Sequence, residues 1–343
     1  MKYLVNLIDN ISPSFDLFEK ISSKILRKLL FQRGSFPAFS ESRLLKIKNQ
    51  VELKIDMTAD MNFFHGATPW LYIESKAPYF AYLDACFATY INVYHDIEDF
   101  SKKQIETLFK LEAQFLGDAS AVFFSSRWAL EDAKQRYQLM GNNFHYSGLG
   151  GGLEDVITNN RDKNEETYLL FISWDFLGKR GDKLVSAFNR IQNVKNLRLK
   201  IIGQKPPQKV LEHPGIDYLG ALNKNNPRDM DQLRLAFKNA YCFVLPSSKD
   251  MTPLVLVEAA SMGCPVISIN NFGIPEIVVD GQTGLLIESD QATIEDNLFD
   301  SIHWLLQNKE ERDRMGIQAK QRIQEFFTWE GVGEKIINIL NKY

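Results

Sequence analysis

The chain has 343 residues, 45% of them hydrophobic and 24% charged, with a formal net charge of −3. This composition excludes a disordered chain, a disulfide scaffold and a strongly basic nucleic-acid binder, and the length suits two domains of about 150 residues each. Three widely spaced cysteines, Cys86, Cys242 and Cys264, form no CxxC pair; they suggest neither zinc nor a disulfide framework and fit a reducing, cytoplasmic setting.

Taken in chain order, "MKYLVNLIDN" has too short an apolar run for a secretory signal, and Lys2–Ile8 predicts a strand. Phe15–Leu30 predicts a helix. Within residues 15–33, Phe15, Phe18, Ile21, Ile25 and Leu29 share one face, and Lys20, Lys24, Arg27, Lys28 and Arg33 make the remainder basic. Core packing is the default expectation; peripheral contact with a membrane surface is the second. No apolar run approaches the ~18 residues that span a bilayer. Asp60–Phe64, Tyr79–Leu83 and Ala121–Ser125 predict strands, and Lys102–Phe115 and Arg127–Leu139 helices. His65 closes one of these strands, where open α/β sheets line a crevice; a satisfied buried histidine is the other reading. "HDIEDF" (His95–Phe100) has no second ligand group at metal spacing and reads as a solvated turn.

"SGLGGGLED" (Ser147–Asp155) is followed by charged and asparagine-rich sequence rather than by a helix. It therefore reads as a flexible hinge, not a phosphate-binding turn. Beyond it strand and helix patterns alternate. Tyr168–Ser173, Leu197–Ile202, Ile216–Leu219, Tyr241–Leu245, Pro265–Ile269 and "TGLLI" predict strands. Asp182–Ile191, "PRDMDQLRLAFKNA", Pro253–Met262 and three terminal segments predict helices. Regular alternation means a doubly wound α/β sheet. The expected division is residues 1–150, a linker at 151–165, a second domain at 166–326, and a C-terminal helix at 327–343 packing near the first domain. Asp229-Met230-Asp231 spells a D-x-D, but the acids follow Pro227 at a helix start, where carboxylates oppose the helix dipole. No metal site is expected.

"SSKDMTPLVLVEAASMGCPVIS" (Ser247–Ser268) carries two acids in an apolar stretch. Pro253 suits the first turn of a helix, and the free N–H groups there suit a phosphate. Asp250 precedes that turn and Glu258 lies about a turn and a half inside it. Two acids beside an anion site suit a ligand with hydroxyls. On the residues alone, a capping Asp250 and an exposed Glu258 remain an equal reading.

In these elements the chain resembles the retaining glycosyltransferases of family 4, which have the GT-B fold. The family's E-x7-E element appears as Asp250-x7-Glu258. Its later turns appear in "NNFGIPEIVVDGQTGLLI", with Gly273, Pro275, Glu276, Gly281, Thr283 and Gly284 in register. "FISWDFLGKRGDKLVSAF" matches its lysine-bearing loop at Asp175, Phe176, Lys179 and Gly181. "LKIIGQ" and "IDYLGAL" match two strand–glycine turns. "LFKLEAQFLGDASAVFFSSRWALEDAKQRY" resembles, more weakly, the segment before the family's domain boundary.

The resemblance implies two Rossmann-like doubly wound domains facing a cleft. It implies sugar transfer from a nucleotide-sugar donor to a glycan, lipid or small-molecule acceptor, with retained configuration, no cofactor and no metal. Carried over by position, Glu258 would hold ribose hydroxyls and Asp250 the transferred sugar. Backbone from Met251, Thr252, Pro253, Leu254 and Val255 would meet the diphosphate, with Lys179 and Arg180 neutralising it. Gly203 would allow close donor approach, and Gly220 and Leu222 would cradle the base. His65 and Asp84 would lie on the acceptor side. The chain departs from the pattern at Asp250 (usually glutamate), at Arg180 and Phe272 (usually glycine) and at Leu83-Asp84 (usually His-Asp). "YLVNLIDNISPSF" contains no glycine-rich loop, as expected of a chain that starts one strand late or of a reduced first domain. These departures favour, as the alternative, a non-catalytic GT-B-like binding or scaffold subunit.

Overall fold

A computed structural model describes residues 5–6, 21–22, 24–26, 33–153, 167–191, 194 and 196–342. The chain separates into two compact units, one of residues 1–148 with 334–343 and one of residues 149–333.

The first unit contains β1 (Val5–Asn6), α1 (Glu41–Glu52), β2 (Met61–His65), β3 (Tyr79–Leu83), α2 (Phe87–Tyr94), α3 (Lys102–Asp118), β4 (Ala121–Phe124), α4 (Arg127–Tyr137) and β5 (Phe144–Tyr146). The five strands are parallel and lie in chain order, β1-β2-β3-β4-β5. Every residue of β4 is buried, as a parallel strand covered on both faces requires. β1 falls inside the predicted Lys2–Ile8 run and pairs with β2 at Val5↔Met61. The carboxyl of Glu112 on α3 is fully buried at the centre of this unit. It accepts hydrogen bonds from Thr68 Oγ1 (2.7 Å), Tyr137 OH (2.6 Å) and the Phe87 N–H (2.6 Å). Three donors compensate its burial and tie α2, α3 and α4 together.

The second unit contains β6 (Tyr168–Ser173), α5 (Gly181–Arg190), β7 (Arg198–Gly203), α6 (Gln208–Leu211), β8 (Ile216–Tyr218), α7 (Pro227–Asn239), β9 (Cys242–Leu245), α8 (Leu254–Ser261), β10 (Val266–Ile269), α9 (Ile274–Ile277), β11 (Gly284–Ile287), α10 (Ile294–Gln307) and α11 (Lys309–Phe326). Its strands are parallel in the order β11-β10-β9-β6-β7-β8. This is the doubly wound order, and the winding reverses between β9 and β6. A ligand crevice opens at such a reversal, beyond the carboxyl ends of the strands. The core joins β6, β7, β9 and β10 to α5, α7, α8, α10 and α11. A last helix, α12 (Trp329–Leu340), runs from the second unit into residues assigned to the first. There Lys335 Nζ donates to the Ser147 carbonyl at 3.2 Å and stands 5.1 Å above the Tyr146 ring.

The glycines of "GLGGGL" lie where the two units divide, between Gly148 and Leu149, and are closely packed. A Cβ on Gly150 would meet Trp329 Cα at 2.7 Å, and one on Gly151 would meet Leu254 Cδ1 at 2.3 Å. The Gly151 N–H donates to the Phe327 carbonyl, and the Leu153 N–H to Ser261 Oγ. These glycines serve close approach of the backbone to α8 and α12; residues 154–165 of the expected linker lie outside the described residues. In "HDIEDF" the acids Asp96, Glu98 and Asp99 are exposed on a short turn, as expected, and His95 is half-buried. Its ring meets Phe36 at 5.1 Å and Phe100 at 5.7 Å, both edge-on, inside an aromatic cluster. Residues 15–33 lie outside the described residues apart from 21–22, 24–26 and 33. Of the expected apolar face, Ile21 and Ile25 are exposed rather than buried. No helix among the described residues is long and apolar enough to cross a membrane.

Candidate functional site

A cavity of about 310 Å³ lies in the second unit, at the carboxyl ends of β6, β7 and β9. Apolar walls come from Ile172, Ile202, Leu222, Leu233, Leu245 and Val255. The polar groups are Asp175, Lys179, Lys224, Asp250 and Glu258, with Trp174 beside them. An apolar cavity with a few convergent polar groups is the usual form of a small-molecule site.

Lys179 is positioned by a stitched loop after β6. The Gly178 N–H donates to Asp175 Oδ1 (2.9 Å), the Lys179 N–H to the Asp175 carbonyl (3.0 Å) and the Phe176 N–H to Gln204 Oε1 (2.8 Å). A Cβ at Gly178 would stand 2.0 Å from Asp175 Oδ2 and would displace that side chain. Lys179 Nζ then reaches across the cavity to Asp250 Oδ1 at 2.5 Å, with each side chain 19% exposed.

Asp250 lies on the loop from β9 to α8. That loop is braced from below: the Gly273 N–H donates to the Met251 carbonyl at 2.9 Å, and Asn271 Oδ1 accepts from the Phe272 N–H. Phe272 is left-handed, φ +53°, as is Arg180, φ +58°. These conformations favour glycine, which explains physically why a glycine suits both turns. The N-cap of α8, Pro253, has no polar side chain to cap the helix; the Leu256 N–H donates to the Pro253 carbonyl at 3.0 Å, and the positive end of the helix dipole lies at this loop.

Glu258 sits inside α8 with its side chain 6% exposed. It is paired through Oε1 with Lys224 Nζ, whose side chain is 50% exposed. Its backbone carbonyl accepts from Ser261 Oγ, which in turn receives the Leu153 N–H. The start of the second unit therefore anchors the helix that carries this acid.

Of the residues singled out in the sequence, the cavity brings together Lys179, Gly203, Leu222, Asp250, Val255 and Glu258. Six others lie outside its lining. Arg180 NH1 donates to the Ser289 carbonyl and hydroxyl, both at 3.3 Å, on the far side of its loop. Met251 and Pro253 are buried, Leu254 is exposed and Thr252 is half-buried. Gly220 has φ +85° and its carbonyl accepts the Gly203 N–H. Gly203 is explained by the sheet rather than by a ligand: φ is +111°, and a Cβ would meet the Ser173 carbonyl oxygen at 2.1 Å. The sequence reading missed Lys224 and Trp174. Lys224 lies in an unpatterned asparagine-rich loop. Trp174, 72% exposed beside a cavity, signals a binding surface only once its exposure is known.

In the first unit His65 and Asp84 close the neighbouring strands β2 and β3, and both are exposed. His65 stacks on Tyr82 at 6.0 Å, and burial together with Asp84 pushes the Tyr82 phenol up. The D-x-D acids are occupied locally. Asp229 Oδ2 accepts the Asn223 N–H, Asp231 pairs with Arg234, and Asn226 is the residue that caps α7. Among the described residues, no three His, Cys, Asp or Glu side chains are grouped to hold a metal ion.

Residues 154–322 match the family model of Glycosyl transferases group 1. The chain is 30% identical over 114 residues to the D-inositol 3-phosphate glycosyltransferase of Corynebacterium diphtheriae, covering 33% of this chain and 26% of that protein. It spans about a quarter to a half of the length of this relative and of the spore coat protein SA of Bacillus subtilis. Among solved structures it resembles a sucrose-phosphate synthase from Thermosynechococcus elongatus, with TM-score 0.68, 17% identity, and 87% of this chain and 76% of that one covered. It also resembles Anabaena Alr3699/HepE in complex with UDP, with TM-score 0.65, 14% identity, and 88% and 82% covered. At these identities the likeness establishes the fold alone, the two-domain α/β GT-B fold.

Proposed function

Residues 154–322 belong to the group 1 glycosyltransferases, and on that premise we propose that the protein moves a sugar from a nucleotide-sugar donor to an acceptor hydroxyl, with retained configuration and without a metal ion. The observation that carries this reading is one cavity at the switch point of the second sheet that gathers a lysine–aspartate pair and a buried glutamate, with Val255 of the first turn of α8 in its wall.

In this reading Glu258 accepts from the ribose hydroxyls, and the first turn of α8 receives the diphosphate. Lys179 turns from Asp250 to the phosphate oxygens when the donor binds, and the sugar C1–O bond then breaks as the bond to the acceptor oxygen forms. The acceptor's proton leaves with the departing diphosphate. A fixed ammonium and a helix start stabilise that leaving group without reorganising during the reaction. Asp250, released from Lys179, faces the transferred sugar. His65 and Asp84 are proposed to contact the acceptor. The UDP bound by HepE supports a nucleoside diphosphate as the common ligand part, and three buried cysteines outside any disulfide accord with a reducing compartment.

The test is release of nucleoside diphosphate from a panel of nucleotide sugars, with and without chelator. One donor should be turned over, undiminished by EDTA, and the product should keep the donor's anomeric configuration by NMR. Binding without turnover of any donor or transfer to any acceptor offered would favour the binding-subunit reading instead. Activity abolished by EDTA and restored by a divalent ion would overturn the metal-free scheme.

A further inference from the structure

Glu258 is held by Lys224, a residue that no step of the proposed transfer uses. The main chain around this lysine is fixed on both sides. The Asn223 N–H donates to Asp229 Oδ2 (2.9 Å), the Asn225 N–H to Asn223 Oδ1 (2.9 Å), and Asn226 Oδ1 accepts from the Arg228 N–H (2.9 Å). With the main chain fixed, holding a partner costs only the ordering of the lysine side chain itself.

Its partner needs it. The Glu258 side chain is 6% exposed, on a helix whose neighbouring residues are apolar or small. A carboxylate in that position is costly unless it is paired. The terminal torsion of glutamate is broad and nearly two-fold, so burial alone does not set which way the two oxygens face. Lys224 Nζ takes Oε1. Oε2 accepts no hydrogen bond among the described residues, and Glu258 lines the cavity. One oxygen is therefore clamped, and the other keeps its full capacity to accept.

We propose that Lys224 is a positioning residue for the ribose of the nucleotide: it fixes Glu258 through one oxygen so that the other meets the vicinal hydroxyls. This rests on the reading of the cavity as a nucleotide site. Lys224 also offsets the charge of Glu258, which would otherwise repel an approaching diphosphate.

The experiment is calorimetric titration of UDP, ADP and GDP, each beside its 2′,3′-dideoxy counterpart, into wild type, Lys224→Met and Lys224→Arg. Methionine keeps the apolar stem and removes the ammonium; arginine keeps a cation. Lys224→Met should weaken the bound ribonucleotide by about tenfold, the range of a charge-assisted hydrogen bond, and the dideoxy form by less than about twofold. Lys224→Arg should restore the ribonucleotide to within about threefold of wild type. An equal loss for both nucleotide forms would overturn the role of Lys224 and leave the nucleotide site standing. Tighter binding by Lys224→Met would also overturn it, by making the lysine a competitor of the ribose. No binding by wild type would instead sink the underlying nucleotide reading. Should Lys224→Met fail to fold, Lys224→Arg decides: wild-type discrimination between ribo and dideoxy forms supports the role, and lost discrimination overturns it.

Discussion

Asp250→Asn and Lys179→Met should move nucleoside diphosphate affinity in opposite directions, although the two side chains are partners. They meet at 2.5 Å and each is 19% exposed. At ~4 Å and an effective dielectric of about 20, unit charges attract by about 4 kcal/mol. A diphosphate that takes Lys179 from Asp250 breaks an attraction of that order while making another, so only the difference appears as affinity. Removing the acid removes the competition. A lysine without its resting partner regains hydration, so about 1–2 kcal/mol survives, or roughly fivefold to thirtyfold tighter binding. Removing the lysine leaves Asp250 facing the diphosphate and should cost about 2–4 kcal/mol, roughly thirtyfold or more. Isothermal titration with UDP, ADP and GDP reads both, with thermal unfolding to verify the fold. Transfer by Asp250→Asn should fall despite the tighter binding, because the acid no longer faces the sugar. Weakening in both variants, or no change in either, would refute the competition.

Two further expectations concern the scaffold. Gly203→Ala should lower the second unit's stability by about 2–5 kcal/mol, combining left-handed strain with a collision against strand backbone; at roughly 2–4 °C per kcal/mol, calorimetry should show a loss of about 4–20 °C. Gly220→Ala, at φ +85° with open space around it, should cost only about 1–2 kcal/mol, and equal losses would contradict the sheet-packing explanation. Burial pushes the Glu112 carboxyl up, against hydrogen bonds from Tyr137, Thr68 and the Phe87 N–H that hold it down. The folded chain then binds this proton more tightly than the unfolded one. The stability linked to it is fully present below pH 4.5, the ordinary value, and is lost as pH rises through the raised one. Denaturant titrations between pH 4.5 and neutrality should therefore show a decline that Glu112→Gln flattens; an unchanged slope would contradict the assignment.

The second unit was legible because its signals are local and doubled. Tyr168–Ser173 reads as a buried strand from its apolar run alone and is one; Pro227 and Asn226 mark a helix start that α7 obeys. The first unit hid more. The α2 segment, "FATYINVY", is aromatic and β-branched, so its helicity comes from packing rather than propensity. The α1 helix does carry a periodic face, Leu44, Ile47 and Val51, which a closer count of spacing would have found. β5 has only three residues, below the length at which alternation can be read. In the site, Asp250 and Glu258 were marked as acids in an apolar stretch, and Lys179 by the family resemblance. Their lysine–acid pairings were not, because Lys224 lies 34 positions from Glu258 and Lys179 lies 71 from Asp250. Arg180 shows the reverse case: the resemblance placed it with Lys179 at the diphosphate, while its left-handed backbone sends the guanidinium to Ser289.

The central claim is that the second unit's cavity is a nucleotide site whose ribose contact is Glu258. Isothermal titration of UDP, ADP and GDP into wild type and Glu258→Ala addresses it most directly. One nucleoside diphosphate should bind wild type saturably at a single site, and Glu258→Ala should bind it at least about tenfold more weakly, as loss of a charged hydrogen-bond acceptor requires. Wild type that binds none of them, or a Glu258→Ala variant that binds as tightly as wild type, would contradict the claim.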